Sequence, residues 1–220
     1  MSAPIADLLE VAVVDYGMGN RRSVEKALEH IGVRALLSSD PAELRAADGL
    51  VVPGVGAFPR AMANLRELGL DELLRELVLT DRRPVLGVCL GMQLAFEHST
   101  EQGGARGLGI VPGEVRALES EGLKLPHIGW NEVRFSGGSP LAAGLPEVCA
   151  FYHVHSYAPV PADPQDVIGV SEYGTPFVSA VARGSFYGVQ FHPEKSSAAG
   201  LRMLANFAQI CSGARTPATL

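Results

Sequence analysis

The sequence predicts an α/β fold: a mostly parallel central sheet with helices on both faces, and an added antiparallel β region in the second half. Three observations carry this. Short β-branched runs alternate with amphipathic helical patterns through the first 98 residues. From Gly113 onward the alternation gives way to short strands separated by Gly, Pro and Ser. The length of 220 residues, 47% of them hydrophobic, suffices for one domain with a good core. Alternating β and α segments are the signature of βαβ units and a sheet covered on both sides.

Glu10–Asp15 (EVAVVD) reads as a buried strand that runs into a Gly-rich turn, Tyr16–Asn20. Val24, Ala27, Leu28 and Ile31 then recur at helical spacing, and Gly32 ends that helix. Val33–Leu37 is a second strand. Asp40 as N-cap and Pro41 at the first helical position open a short helix to Ala47. Gly49–Val52 is a third strand, closed by Pro53-Gly54-Val55-Gly56. Helical patterns follow over Pro59–Leu68 and Leu70–Leu79, then a strand over Pro84–Val88 and a helix over Cys89–Glu97. In the second half, Gly113–Leu118, Asn131–Phe135, Val148–Tyr157, Val167–Glu172, Phe177–Arg183 and Phe186–Phe191 read as strands. A last helix spans Ser197–Ile210. The predicted organisation is an N-terminal extension over residues 1–10, a single domain over 11–211 and a C-terminal tail over 212–220.

Composition excludes several function classes. The net charge is −6 and the basic residues are scattered, which is the wrong electrostatic footprint for nucleic acid. The longest apolar stretches reach about a dozen residues, short of the roughly 20 that span a bilayer. Residues 1–10 lack the basic and apolar regions of a secretory signal. Cys89, Cys149 and Cys211 are odd in number and far apart, so neither a disulfide framework nor a zinc site is expected, and the cytoplasm is the expected location. No metal-ligand cluster stands out and no cofactor is expected.

In a sheet of this kind, ligands bind beyond the carboxyl ends of the strands. Four turns occupy that position: Tyr16–Asn20, Pro53–Gly56, Val88–Gly91 and His192–Lys195. Gly87-x-Cys89-x-Gly91 has the form of a nucleophile elbow, in which small residues let strand and helix close up around a projecting side chain. A helix start behind the cysteine stabilises a thiolate and an oxyanion. Cys89 read alone is also compatible with a small core hydrophobe. Cys149, in a β run, and Cys211, at a helix end, read as inert. Of the six histidines, His30 and His98 sit in helical patterns and face solvent, while His127, His153 and His155 belong to strands as core or interface residues. His192 ends a strand, is held extended by Pro193, and is followed by Glu194. A carboxylate there can accept from one ring nitrogen and leave the other for a thiol, which is the order of a catalytic triad. Spacing alone leaves open whether the fold joins His192 to Cys89.

GVCLGMQ and GVQFHPEKS together resemble the class I, triad-type glutamine amidotransferases. VDYGMGN, VVPGVGAF, PHIGWNEV and FYHVHSY narrow the resemblance to the glutaminase subunits of imidazole glycerol phosphate synthase, over about Val11–Ile210. The resemblance implies a Cys89–His192–Glu194 triad that hydrolyses L-glutamine to glutamate and ammonia through a thioester. It implies an oxyanion hole from the Leu90 and Val55 N–H groups. Gln93 and the Gly54 backbone are implied to meet the substrate. The implied partner is a cyclase subunit with a (β/α)8 barrel in a 1:1 heterodimer, which takes the ammonia to make imidazole glycerol phosphate in histidine biosynthesis. Asn20, Trp130, Asn131 and Lys195 fall in stretches implied to face it. Trp130, the only Trp, reads as part of a polar turn, and Lys195 is equally compatible with simple solvation. The glycines beside Val55 tolerate unusual backbone angles, so peptides there can turn over cheaply. The isolated subunit is therefore expected to be a poor glutaminase. Three other readings stay open: a class I glutaminase of guanylate, anthranilate or pyridoxal phosphate synthesis, a cysteine hydrolase of similar architecture, and a non-catalytic binding subunit. The intact triad positions argue against the last.

Overall fold

A computed structural model describes residues 9–215 of the chain. Residues 1–8 of the predicted extension and 216–220 of the predicted tail lie outside the described residues. In chain order the elements are β1 (Glu10–Val14), α1 (Arg21–His30), β2 (Arg34–Ser38), α2 (Pro41–Ala46), β3 (Gly49–Val52), α3 (Phe58–Glu67), α4 (Leu70–Leu79), β4 (Val85–Val88) and α5 (Leu90–Leu94). Then come β5 (Phe96–Ser99), β6 (Ala105–Arg106), β7 (Val111–Ala117), β8 (His127–Phe135), β9 (Val148–His155), β10 (Tyr157–Pro161), β11 (Val167–Tyr173), β12 (Thr175–Arg183), β13 (Phe186–Val189) and α6 (Ser197–Arg215).

The main sheet runs β2-β1-β3-β4-β13-β12-β11-β8-β9. The β2 to β13 half is parallel. The half from β13 to β9 is antiparallel. The predicted antiparallel region is thus largely the far half of one sheet. A second sheet, β10-β7-β5-β6, packs beside it.

The inner parallel strands β3 and β4, and residues 11–14 of β1, are apolar because both of their faces are buried, whereas the edge strand β2 is only partly covered. Alternation divides each strand between two cores. Ala12, Val14, Leu50, Val52 and Val85 face one core with α3, α4 and the second sheet. Val11, Val13, Val51, Leu86 and Val88 face the other, with Val24 and Leu28 of α1 and Met203, Leu204 and Phe207 of α6. The Asp40 cap forms as read, its carboxylate accepting from the Ala42 and Glu43 N–H groups.

Several expectations need correction. The helix expected over Cys89–Glu97 ends at Leu94, because residues 108–111 capture its last carbonyls. Leu108 N–H donates to the Leu94 oxygen, and the Ile110 and Val111 N–H groups to the Ala95 oxygen. The chain then extends as β5, which pairs in parallel with β7. His98 therefore lies on a strand, where it pairs with Glu114. β8 begins at His127, not Asn131, because residues 127–130 pair in register with β9. Trp130 is consequently a strand residue and not part of a turn. The strand expected over Val148–Tyr157 breaks at Ser156, and Tyr157 starts β10 in the second sheet. The last helix runs past Ile210 to Arg215, so the first residues of the expected tail are helical. Among the described residues, no helix is long and apolar enough to cross a membrane.

Candidate active site

β1, β3, β4 and β13 run parallel side by side, so their carboxyl ends share one edge of the sheet. The four turns singled out in the sequence meet there. Tyr16 Oη donates to the Pro53 carbonyl at 2.6 Å. A Cβ added to Gly19 would sit 3.0 Å from the Val55 side chain. Asn20 Nδ2 donates to Glu194 Oε1 at 2.6 Å. The Cys89 N–H donates to the Val189 carbonyl at 2.7 Å.

Cys89 has φ 53° and ψ −108°, a conformation that costs a residue with a Cβ on the order of 1–3 kcal/mol. The fold holds it there by close packing on both sides. A Cβ on Gly87 would lie 2.6 Å from the Gly91 carbonyl oxygen, and one on Gly91 would lie 1.8 Å from the Val52 carbonyl oxygen. No side chain other than hydrogen fits either place, so the strand-to-helix turn is sharp and the thiol projects from its apex. The buried sulfur approaches the Val154 carbonyl at 3.7 Å. Gln190 Nε2 lies 3.6 Å from it. The helix behind it has five residues, so its dipole is shorter than the sequence suggested.

His192 and Glu194 have no exposed side-chain surface. Burial drives their association: an unpaired charge would be costly here, and a paired one is not. His192 Nδ1 donates to Glu194 Oε1 at 2.8 Å. His192 Nε2 is buried with no hydrogen-bond partner among the described residues. Burial disfavours the imidazolium, but the nearby Cys89 sulfur and the hydrogen-bonded Glu194 carboxylate outweigh it and hold the His192 pKa up at about 10.

Gln93 is buried, and the oxyanion groups depart from simple expectation. Gln93 Nε2 donates to the Tyr157 carbonyl and to Gln190 Oε1, both at 3.0 Å. The Leu90 N–H is occupied, donating to the Gly54 carbonyl at 3.4 Å. In a trans peptide the C=O and N–H point in opposite directions. The Val55 N–H therefore points away from Leu90, and the two groups expected to form an oxyanion hole do not converge. Val55 itself is exposed.

Beyond Gln93 lies a buried cluster of imidazoles. Asn131 Nδ2 approaches His127 Nε2 at 3.4 Å, His127 Nδ1 meets His155 Nε2 at 3.0 Å, and His155 Nδ1 meets the Tyr157 carbonyl at 2.9 Å. A carbonyl can only accept, so Nδ1 carries the proton in His155, and then in His127. Both rings are neutral in this chain of bonds. Burial, opposed by the bond to the Tyr157 carbonyl, holds the His155 pKa down at about 3. Burial and the neighbouring imidazoles hold His153 at about 2, and burial also lowers His127. His153 is held by Ser179 Oγ at 2.8 Å and the Phe151 carbonyl at 3.1 Å.

Of the residues expected to face a partner, Trp130 is 55% exposed and packs edge-on against Tyr152. Lys195 is exposed, on a 3-10 turn over Pro193–Lys195. The side chains of Asn20 and Asn131 turn inward instead, Asn20 onto Glu194 and Asn131 onto the Glu172 carbonyl at 2.8 Å. Among the described residues, no group of three or more His, Cys, Asp or Glu is placed to hold a metal ion.

Two contributors were not recognised from sequence. Gln190 bridges Gln93 and Cys89; its signal was a polar residue between Val189 and Phe191 in an otherwise apolar run. Tyr16, fully buried, pins the Pro53–Gly56 loop, and burial together with the nearby Cys89 raises its phenol pKa.

Residues 12–211 match the family described as glutamine amidotransferase class-I. The chain is 49% identical over 200 residues to imidazole glycerol phosphate synthase subunit HisH of Moorella thermoacetica, covering 91% of this chain and 94% of that one. It is 51% identical over 207 residues to the HisH subunit of Methylococcus capsulatus, covering 90% and 94%. Among solved structures, a putative GMP synthase subunit from Thermoplasma acidophilum superposes with a TM-score of 0.71 at 23% identity, covering 94% of this chain and 96% of that chain. That likeness concerns the fold alone.

Proposed function

We propose a function from one premise: the chain belongs to the class I glutamine amidotransferases, within the group of HisH subunits of imidazole glycerol phosphate synthase. It is the glutaminase subunit of that synthase, and it releases ammonia from L-glutamine for histidine biosynthesis. The observation that carries the residue assignments is the buried pair His192–Glu194 beside a cysteine held at φ 53°.

Cys89 is the nucleophile. A free thiol of pKa about 8.5 is only a few per cent thiolate at neutral pH, so the cysteine needs a base. In the resting site His192 already holds the proton of the Cys89 thiol, and Glu194, steadied by Asn20, fixes the ring orientation and stabilises the imidazolium. The sulfur attacks the side-chain amide carbon of glutamine. His192 then gives its proton to the departing nitrogen, and ammonia leaves a glutamyl thioester. Water activated by His192 hydrolyses the thioester to glutamate and frees the cysteine. Gln93 and the Gly54 backbone contact the substrate.

The developing oxyanion takes the Leu90 and Val55 N–H groups as donors, each worth roughly 10²–10³-fold in rate. The bond from Leu90 N–H to the Gly54 carbonyl supports a resting state in which that hole is closed. Turning over the Gly54–Val55 peptide opens it. The partner is a cyclase subunit with a (β/α)8 barrel, in a 1:1 pair. The exposed Trp130 and Lys195 support a docking face beside the triad. The unpaired cysteines support a cytoplasmic setting.

The test is glutamine-dependent synthesis of imidazole glycerol phosphate with the cyclase present, for the parent and Cys89→Ala. Synthesis from glutamine vanishes in the variant, while synthesis from ammonium salts persists. The parent subunit without cyclase turns glutamine over slowly. Retained glutamine use by Cys89→Ala removes Cys89 as nucleophile. Loss of both activities makes it a structural residue, and rapid turnover by the isolated parent contradicts the closed resting state.

A further inference from the structure

Gln190 has no role in the mechanism above, yet it is fully buried and touches the sulfur. Its backbone is fixed by the N–H to the Ser179 carbonyl at 2.9 Å, one residue past the end of β13. The Cys89 thiol and thiolate require different surroundings. A thiol donates, and the Val154 carbonyl at 3.7 Å is an acceptor that suits it. A thiolate only accepts, and the same carbonyl then opposes it. Among the described residues, the donor directed at the sulfur is the Gln190 amide at 3.6 Å. A hydrogen bond to an ionised group is about twice as strong as a neutral one, so this amide favours the charged form.

The same side chain fixes Gln93. With its NH₂ on the sulfur, Gln190 turns Oε1 toward Gln93 and accepts from it. Gln93 gives its two amide hydrogens to Gln190 and to the Tyr157 carbonyl. Its own Oε1 accepts no hydrogen bond among the described residues, which leaves an acceptor for the substrate. The side chain of glutamine offers an NH₂ donor, whereas that of glutamate offers none at neutral pH.

We propose that Gln190 is a further catalytic residue of this site: its amide donates to the Cys89 sulfur in the thiolate form, and its oxygen orients Gln93 to accept from the carboxamide of glutamine. This rests on the glutaminase reading, so the test separates the two. The rate of Cys89 alkylation by iodoacetamide is followed from neutral to strongly alkaline pH on the full chain. Peptide mass spectrometry keeps Cys149 and Cys211 out of the signal. In Gln190→Leu the rate at neutral pH falls about tenfold and recovers at high pH, where any thiol ionises. Gln190→Glu keeps the volume and the acceptor for Gln93 but removes the donor, and it shows a loss at least as large. It serves if the leucine variant does not fold. In the cyclase complex, glutamate competes better against glutamine for Gln190→Leu than for the parent.

Variant profiles that superimpose on the parent's, or that fall equally at every pH, overturn the proposal. A parent Cys89 that reacts at neutral pH no faster than free cysteine overturns the nucleophile assignment itself, whatever the variants do.

Discussion

His192, in the turn that follows β13, and the imidazoles of β8 and β9 are all buried but are set to opposite charge states. His192 pairs with a carboxylate and a cysteine, and its pKa is raised to about 10. His153 and His155 are equally sealed but meet carbonyls, a hydroxyl and each other, and theirs fall to about 2 and 3. Burial disfavours the imidazolium in both places. What differs is the partners: the Cys89 sulfur and the Glu194 carboxylate together compensate a buried cation, and a Tyr157 carbonyl does not do so fully. The neutral set holds its hydrogen-bond chain only while each ring keeps one bare nitrogen. The charged pair needs a proton to hand to a leaving group. A charged His155 would present a second donor to His127 and break the run that ends on the Tyr157 carbonyl beside Gln93.

The largest way to break this contrast is to remove the carboxylate. Glu194→Gln leaves the shape of the site but removes one of the two groups that offset burial at His192 and the acceptor that fixes its ring. Glutamine-driven turnover of the cyclase complex falls by roughly 10²–10⁴-fold, as for loss of the orienting acid in other triads. Synthesis from ammonium salts is unchanged, and a matching loss there would show that the variant is misfolded.

A smaller effect sharpens the neutral side. His153 and His155 titrate near 6.5 when unfolded and far lower when folded, so the unfolded chain binds protons first. Their contribution is full above about pH 6.5 and is lost as pH falls toward the folded values. Each adds a slope approaching about 1.4 kcal/mol per pH unit in that window. His192 works in the other direction, its stabilisation being complete below about pH 6.5 and lost as pH rises through about 10. In His153→Phe/Ser179→Ala, which removes the imidazole and its hydroxyl partner together, urea unfolding near pH 5.5 shows an acid slope shallower by about one proton. An unchanged slope would mean that His153 is not held neutral.

Much of this molecule was legible from its residues, for physical reasons that also mark the limits. β1, β3 and β4 are apolar on both faces, so length and flanking Gly or Pro were enough to place them. The nucleophile elbow was legible because Gly87 and Gly91, on either side of Cys89, are positions where a side chain cannot fit. His192 and Glu194 were legible because they are close in sequence. The end of α5 was not, because it depends on carbonyls captured by residues 108–111, and helical periodicity contains no trace of that. The start of β8 depends on pairing with β9, more than 20 residues away. Asn20 and Asn131 fell in stretches implied to face a partner subunit, and the side chain of each bonds within the chain to a group brought from a distant strand or turn. The imidazole cluster is legible only once β8 and β9 are in register, with His127 opposite His155.

The contrast between the two histidine sets is tested most directly by imidazole nitrogen NMR of the ¹⁵N-labelled chain, titrated from about pH 5 to pH 8. The expected result is that both His192 nitrogens carry protons throughout, while His155 stays neutral with its proton on Nδ1 and His153 stays neutral beside it. A His192 that loses its proton near 6.5, or a His155 that becomes imidazolium there, would contradict it.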